Sequence, residues 1–283
     1  MTNQPNPLVN HFRSPKLYVK LPSGTSLYSE DVIEIPESGE IPIFPMTAKD
    51  EIMMKNPDAL LNGEATTQLL MSCCPNIKKP LDIYAPDVDA LLVAITGASN
   101  DDDIPINAPC PKCQEVCEIT LSAENVLELM GTLEESYKLN VGDELVIELR
   151  PYTYRSTVKA GLANFQSTRS LQALTDIPDD LDRLKLFNEN FVRLASSNFE
   201  LLVDSVQSIT ILNKDKDIVV TDRMQILEFL ENCDGHIGKT ISEETNTINN
   251  IGIADQATFE CEKCEETFEN PISFDPVNFF MAS

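Results

Sequence analysis

The sequence predicts an α+β fold, predominantly helical, in which a small N-terminal mixed α/β region is followed by a helical insertion framed by two cysteine turns. Three observations predict it. Short β-prone runs broken by Pro and Gly fill the first part of the chain. Apolar residues at helical spacing dominate residues 122–255. Two Cys-x-x-Cys pairs, Cys110 with Cys113 and Cys261 with Cys264, bracket that helical stretch.

The elements follow in order. Residues 1–14 are polar, carry Pro5 and Pro7, and are expected to form a disordered arm. Residues 17–21, 32–35 and 41–44 read as short strands, punctuated by Pro22, Gly24, Pro36 and Gly39. Thr47 and Asp50 have capping-box spacing and open a helix through about Asn56, which Pro57 ends. Two more helices are expected over about 64–74 and 86–98, the second with Leu91, Leu92 and Ile95 on one face. Residues 99–103 form a polar loop. The first cysteine pair follows, then a strand over 116–121, a helix from the Ser122 cap to about Tyr137, and a strand over 145–149.

From Thr153 the pattern is helical. Leu184, Phe187, Phe191, Leu194, Leu202, Val206 and Ile209 recur at intervals that place one stripe inward. Thr221 or Asp222 caps a further helix through Asn232, and a last helix spans about 236–249. The expected layout is an arm (1–14), a mixed α/β region with the first cysteine pair (15–121), a helical insertion (122–255), and a closing region with the second pair (256–283).

The chain has 283 residues, enough for one large or two ordinary domains, and 42% of them are hydrophobic, enough for a substantial core. Trp is absent, so aliphatic residues carry most of the packing. Lys and Arg number 21 against 46 Asp and Glu, a net charge of −25. A field of that sign repels phosphate backbones and anionic membranes, so no nucleic acid and no membrane are expected as partners. No apolar run reaches membrane-spanning length and residues 1–14 lack a signal-peptide core. A reducing cytosol is therefore expected, where the eight cysteines serve as metal ligands or buried thiols.

A Cys-x-x-Cys turn aims two sulfurs the same way, and two such turns can enclose one zinc ion in a tetrahedral four-thiolate shell. Both turns here read Cys-x-Lys-Cys, each after an extended stretch and before a β-prone run, the pattern of a zinc ribbon split across the chain. Cys110, Cys113, Cys261 and Cys264 are the expected ligands of one structural zinc per chain. Other donors are on offer. Cys233 and His236 flank Gly235 at an expected helix end, and Cys117 lies four residues past Cys113; packing is the simpler reading of each. Cys73 and Cys74 read as packed thiols on a helix. A closed thiolate shell leaves no open position for catalysis.

Phosphate-loop, dinucleotide, H-E-x-x-H and G-x-S-x-G motifs are absent, and only His11 and His236 supply imidazole. Asp87, Asp89, Asp179, Asp180 and Asp182 read as solvated helix starts, and 101–103 as an acidic loop without calcium-loop spacing. No catalytic residue and no small-molecule substrate are expected. Phe274, Val277, Phe279 and Phe280 make the C-terminus apolar; it either packs beside the ribbon or anchors in a partner.

The order of motifs resembles the baseplate hub proteins of T-even-like contractile-tailed bacteriophages, a family of hub subunits and hub assembly factors. Leu21-Pro22-Ser23-Gly24 leads into Pro45-Met46-Thr47-Ala48-Lys49-Asp50-Glu51, which is similar to the family's opening segment. Asp87-Val88-Asp89-Ala90-Leu91-Leu92 precedes the knuckle Cys110-Pro111-Lys112-Cys113. Leu149-Arg150-Pro151-Tyr152-Thr153-Tyr154 follows, and Cys261-Glu262-Lys263-Cys264 with Asn278-Phe279-Phe280 closes the chain. The resemblance covers most of residues 15–283. It implies a non-enzymatic part in building the tail baseplate, as a hub component or a hub assembly chaperone. Partners would be other phage tail proteins, and the four knuckle cysteines would be the metal site. The host cytoplasm during assembly, or the virion baseplate, is the implied location. Two other readings compete. One is a zinc-ribbon adaptor for nucleic acid or the transcription apparatus, which the charge opposes. The other is a hydrolase with a carboxylate cleft or an incomplete zinc shell.

Overall fold

The computed structural model describes residues 6–24, 26–101, 103–173, 180–214, 216–251 and 256–271. About 48% of the chain is helical and 20% is strand, in four antiparallel sheets. The fold is therefore mixed α+β, which corrects the expectation of a predominantly helical chain.

The first core gathers around one helix. Strands β1 (Leu17–Val19) and β2 (Ile41–Ile43) pair antiparallel, Leu17 opposite Ile43. The expected strand at 32–35 reduces to a single bridge between Ile33 and Ile77. Helix α1 (Ala48–Met54) opens on the expected capping box: Thr47 Oγ1 accepts from Asp50 N–H, and the Asp50 carboxylate accepts from Thr47 N–H at 2.8 Å. Pro57 ends that helix and also starts the next, because Asn56 caps α2 (Pro57–Leu61) and proline suits a first helical position. Helix α3 (Glu64–Cys73) starts at Gly63, which holds φ at +74°. Helix α4 (Ala85–Ser99) is apolar on all sides and buried on all sides. Leu91, Leu92 and Ile95 meet Ile41, Ile43, Leu69 and Leu70 there.

Asp87, in the first turn of α4, is not on a solvated face. It is fully buried and accepts from Ser23 N–H at 2.9 Å and from the Tyr28 hydroxyl. The N-terminal stretch reaches the same core through Arg13. Its guanidinium donates to Pro45 O at 2.6 Å and Ser72 O at 2.7 Å, and lies over the Phe44 ring.

Strands β3 (Asp103–Pro109) and β4 (Val116–Ser122) form a hairpin. Ser122 caps α5 (Ala123–Glu128), shorter than expected. Ile104, Ala123 and Val126 pack on Val93 of α4, which seats the hairpin on the first core.

The second core lies under a four-stranded antiparallel sheet of β5 (Tyr137–Val141), β6 (Leu145–Leu149), β7 (Val206–Ile211) and β8 (Ile218–Val220), in that order. Between β6 and β7 the chain makes a helical hairpin of α6 (Tyr154–Ala173) and α7 (Asp180–Ser205). Two corrections follow. Val206 and Ile209 sit on β7, not on the helix, and residues 137–141 are a strand. Val-Gln-Ser-Ile-Thr-Ile alternates with β-branched residues, a period-2 signal that a continuing helical spacing can hide. Helix α8 (Arg223–Asn232), capped by Asp222, and helix α9 (Gly235–Asn249), capped by Asp234, cover the sheet. Ile147, Leu149, Ile209, Ile226, Leu230, Ile241 and Ile248 form its interior.

The cores are tied at one seam. Tyr84 bridges to Thr153, and Ala85 N–H donates to Tyr152 O at 2.8 Å. The chain closes with the hairpin of β9 (Gln256–Glu260) and β10 (Thr267–Pro271). Phe274, Val277, Phe279 and Phe280 lie outside the described residues. No helix among the described residues is long and apolar enough to cross a membrane.

Candidate metal centre

The two cysteine turns sit at the tips of the β3–β4 and β9–β10 hairpins, and the hairpins are built alike. In the first, Pro109 pairs with Val116 just below the turn; in the second, Glu260 pairs with Thr267. Each turn folds on the same two bonds. Cys110 N–H donates to Glu115 O at 2.7 Å and Gln114 N–H to Cys110 O at 2.9 Å. Cys261 N–H donates to Glu266 O at 2.9 Å and Glu265 N–H to Cys261 O at 2.8 Å. The residue after the second cysteine takes a left-handed conformation in both, Gln114 at φ 61° and Glu265 at φ 56°. That costs about 1 kcal/mol for a side-chain-bearing residue, offset by the turn bonds it permits.

The hairpins meet tip to tip. Sγ of Cys110 is 3.6 Å from Sγ of Cys264, and Sγ of Cys113 is 3.5 Å from Sγ of Cys261. All four sulfurs lie within 4.8 Å of one another. A tetrahedral ion bonded to sulfur at about 2.3 Å would set its ligands about 3.8 Å apart, so the separations and the donor set fit. These four cysteines can hold a metal ion, and no other group of three or more His, Cys, Asp or Glu among the described residues has this arrangement.

Ionisation of the cluster argues the same way. Burial pushes the Cys261 thiol up, but N–H groups of Cys264 and Lys263 and the Cys113 thiol outweigh it and bring it down to about 6. Cys264 is pushed up to about 12, first by burial and then by its bonds to Cys261, Cys110 and Cys113. Thiols this close cannot all carry charge by themselves; a divalent cation would supply the compensation.

A feature that sequence reasoning missed crosses the centre. Lys112 Nζ pairs with Glu266 at 2.9 Å, and Lys263 Nζ pairs with Glu115, so each turn's lysine grips the other turn's glutamate. The signal was present, since Cys-x-Lys-Cys-x-Glu occurs twice. Below the turns, Phe259 and Phe268 stack at 5.4 Å and pack with Ala108, Cys117 and Ala257.

The remaining thiols stand apart from the four. Cys117 is a buried member of that small core. Cys233 packs against the second core, and His236 lies on α9 with its N–H donating to the Asp234 cap. Cys73 and Cys74 are buried in the first core, where burial raises the Cys73 thiol to about 11.

No curated protein and no solved structure matches the chain. A protein-family model does, that of the T4 bacteriophage base plate protein, over residues 18–281. That span runs from β1 past the second cysteine turn, and the chain belongs to the T4 bacteriophage base plate protein family.

Proposed function

We propose that this phage baseplate protein is a non-enzymatic component of the baseplate hub, or a chaperone of hub assembly, braced by a structural zinc ion on Cys110, Cys113, Cys261 and Cys264. The observation that carries this is the closed four-sulfur cluster joining hairpins from distant parts of the chain. Four protein ligands leave a tetrahedral ion no position for substrate or water, so its work is to hold the fold. An all-sulfur tetrahedral set selects zinc or iron among the common metals, and a colourless ion without redox chemistry suits a brace. In this reading, residues 122–255 are an insertion between the two halves of the ribbon, and the partners are other tail proteins.

Elemental analysis of protein purified without added metal tests the centre: about one zinc per chain is expected, and iron or no metal refutes the assignment. Co-purification from infected cells tests the role. Recovery with other tail proteins is expected, and recovery with none would refute it. Mass spectrometry of purified virions then separates a hub component, which stays, from a chaperone, which leaves. The zinc-ribbon adaptor reading predicts salt-sensitive binding in a gel shift at low salt, which the net charge of −25 opposes.

A further inference from the structure

The helical hairpin is built with its apolar residues on the wrong side for a self-sufficient fold. Along its length α7 meets α6, and the residues fully buried at the middle of the seam are polar. Ser167 and Asn190 are buried there, and Arg193 donates to both. The Asn190 amide nitrogen has no partner in that seam. No residue of α7 before Phe199 belongs to any of the hydrophobic cores. Yet the same stretch carries a second stripe that faces water: Leu184 is 58% exposed, Phe187 49%, Phe191 66% and Val192 61%. These positions recur at helical spacing and share one face of the helix. Single exposed apolar residues are ordinary; four large ones in a stripe indicate a missing partner.

We propose that this stripe is where two copies of the chain pair, α7 against α7 in antiparallel fashion about a two-fold axis near Phe187. Three features favour a second copy. The four side chains expose on the order of 500 Å² per chain, so a two-fold pair buries on the order of 1,000 Å², the size at which specific association begins. The stripe itself holds no charged side chain, whereas the chain as a whole carries −25. Lys185 and Glu189 flank the stripe on one side and both are exposed. An antiparallel pair centred on residue 187 sets Lys185 of each copy against Glu189 of the other, twice per dimer. An isologous contact has this self-complementary character.

Sedimentation equilibrium of the full chain, in buffer near physiological salt, reads the outcome. The wild type is expected to be a dimer in reversible equilibrium with monomer. Phe187→Ser with Phe191→Ser removes exposed side chains, so folding is retained, as circular dichroism will verify, and dimerisation should weaken about 30-fold or more. Lys185→Glu should weaken it about tenfold, by setting Glu against Glu, and Lys185→Glu with Glu189→Lys should restore it. A wild-type chain that stays monomeric up to its solubility limit overturns the proposal, whether another tail protein or the chain's own residues 272–283 then prove to cover the stripe. A dimer indifferent to the serine pair overturns it equally.

Discussion

Asp87 should make the fold less stable as pH rises from 4 to 7. Its carboxylate is buried against α4, and burial pushes its pKa from 3.8 to about 6, against the opposing bonds from Ser23 and Tyr28. An acid whose folded pKa is raised costs nothing while it is protonated in both states. The cost begins as pH passes the unfolded value of 3.8 and is complete above the folded value of about 6. A rise of that size corresponds to about 3 kcal/mol at neutral pH and only about 0.5 kcal/mol at pH 4. Asp87→Asn removes the titration. It keeps an oxygen to accept from Ser23 N–H but presents an amide to a Tyr28 hydroxyl that already accepts from Tyr84 N–H at 2.8 Å, a loss of about 1 kcal/mol at every pH. The variant should therefore be slightly destabilised at pH 4 and stabilised at pH 7, a swing of about 2.5 kcal/mol. Urea unfolding of both proteins at the two pH values measures it, and the difference between them cancels the other titrating carboxylates. A difference that does not change with pH would refute the assignment of a buried carboxylate that opposes folding when charged.

Four further outcomes are expected. Cys110→Ser or Cys264→Ser should lower both bound metal and melting temperature, whereas Cys73→Ser should leave metal content unchanged, as elemental analysis and calorimetry will show. Chelation should loosen the ribbon and spare the rest: amide exchange should rise over 103–122 and 256–271 and hold steady in α4, because a two-stranded hairpin is marginal by itself. Arg13→Ala should cost about 2–4 kcal/mol in denaturant unfolding, since it removes bonds to Pro45 and Ser72 carbonyls and leaves buried Asp50 without its cation. Gly63→Ala should cost about 1–3 kcal/mol, because the position holds φ +74° and a Cβ would come within 2.7 Å of the Val158 side chain.

Local chemistry was the legible part of this fold. Thr47, Ser122 and Asp222 each cap the helix their spacing announced, and α4 announced itself as a buried helix by having almost no polar face. The pairing of the cysteine turns was legible for a different reason: the two turns repeat the same residues, and symmetry in sequence became symmetry in space. What escaped was direction and period. Phe187 and Phe191 do lie on a helix, but periodicity reports a stripe without saying what it faces. On α7 there are two, Leu186 and Leu194 half-buried and Leu184, Phe187 and Phe191 exposed. Val206 and Ile209 continued a helical count by coincidence, and only the sheet partners across the gap, Leu149 and Ile147, make β7 a strand. Asp87 looked like a helix-start carboxylate, which it is; that the chain around Ser23 folds over it is a long-range fact.

The position of the candidate metal centre gives a bound ion a structural task. The ribbon's interior is Ala108, Cys117, Ala257, Phe259 and the cysteines themselves, far less apolar mass than surrounds α4 or lies under the four-stranded sheet. Each hairpin arrives from a different part of the chain, so docking β9 and β10 against β3 and β4 costs chain entropy. Two facing hairpins with one aromatic stack and two exposed ion pairs offer little against that cost. A metal bound by four thiolates would offset it. On the proposed reading, a metal clasp would be the term that decides whether β9 and β10 stay on the body of the protein.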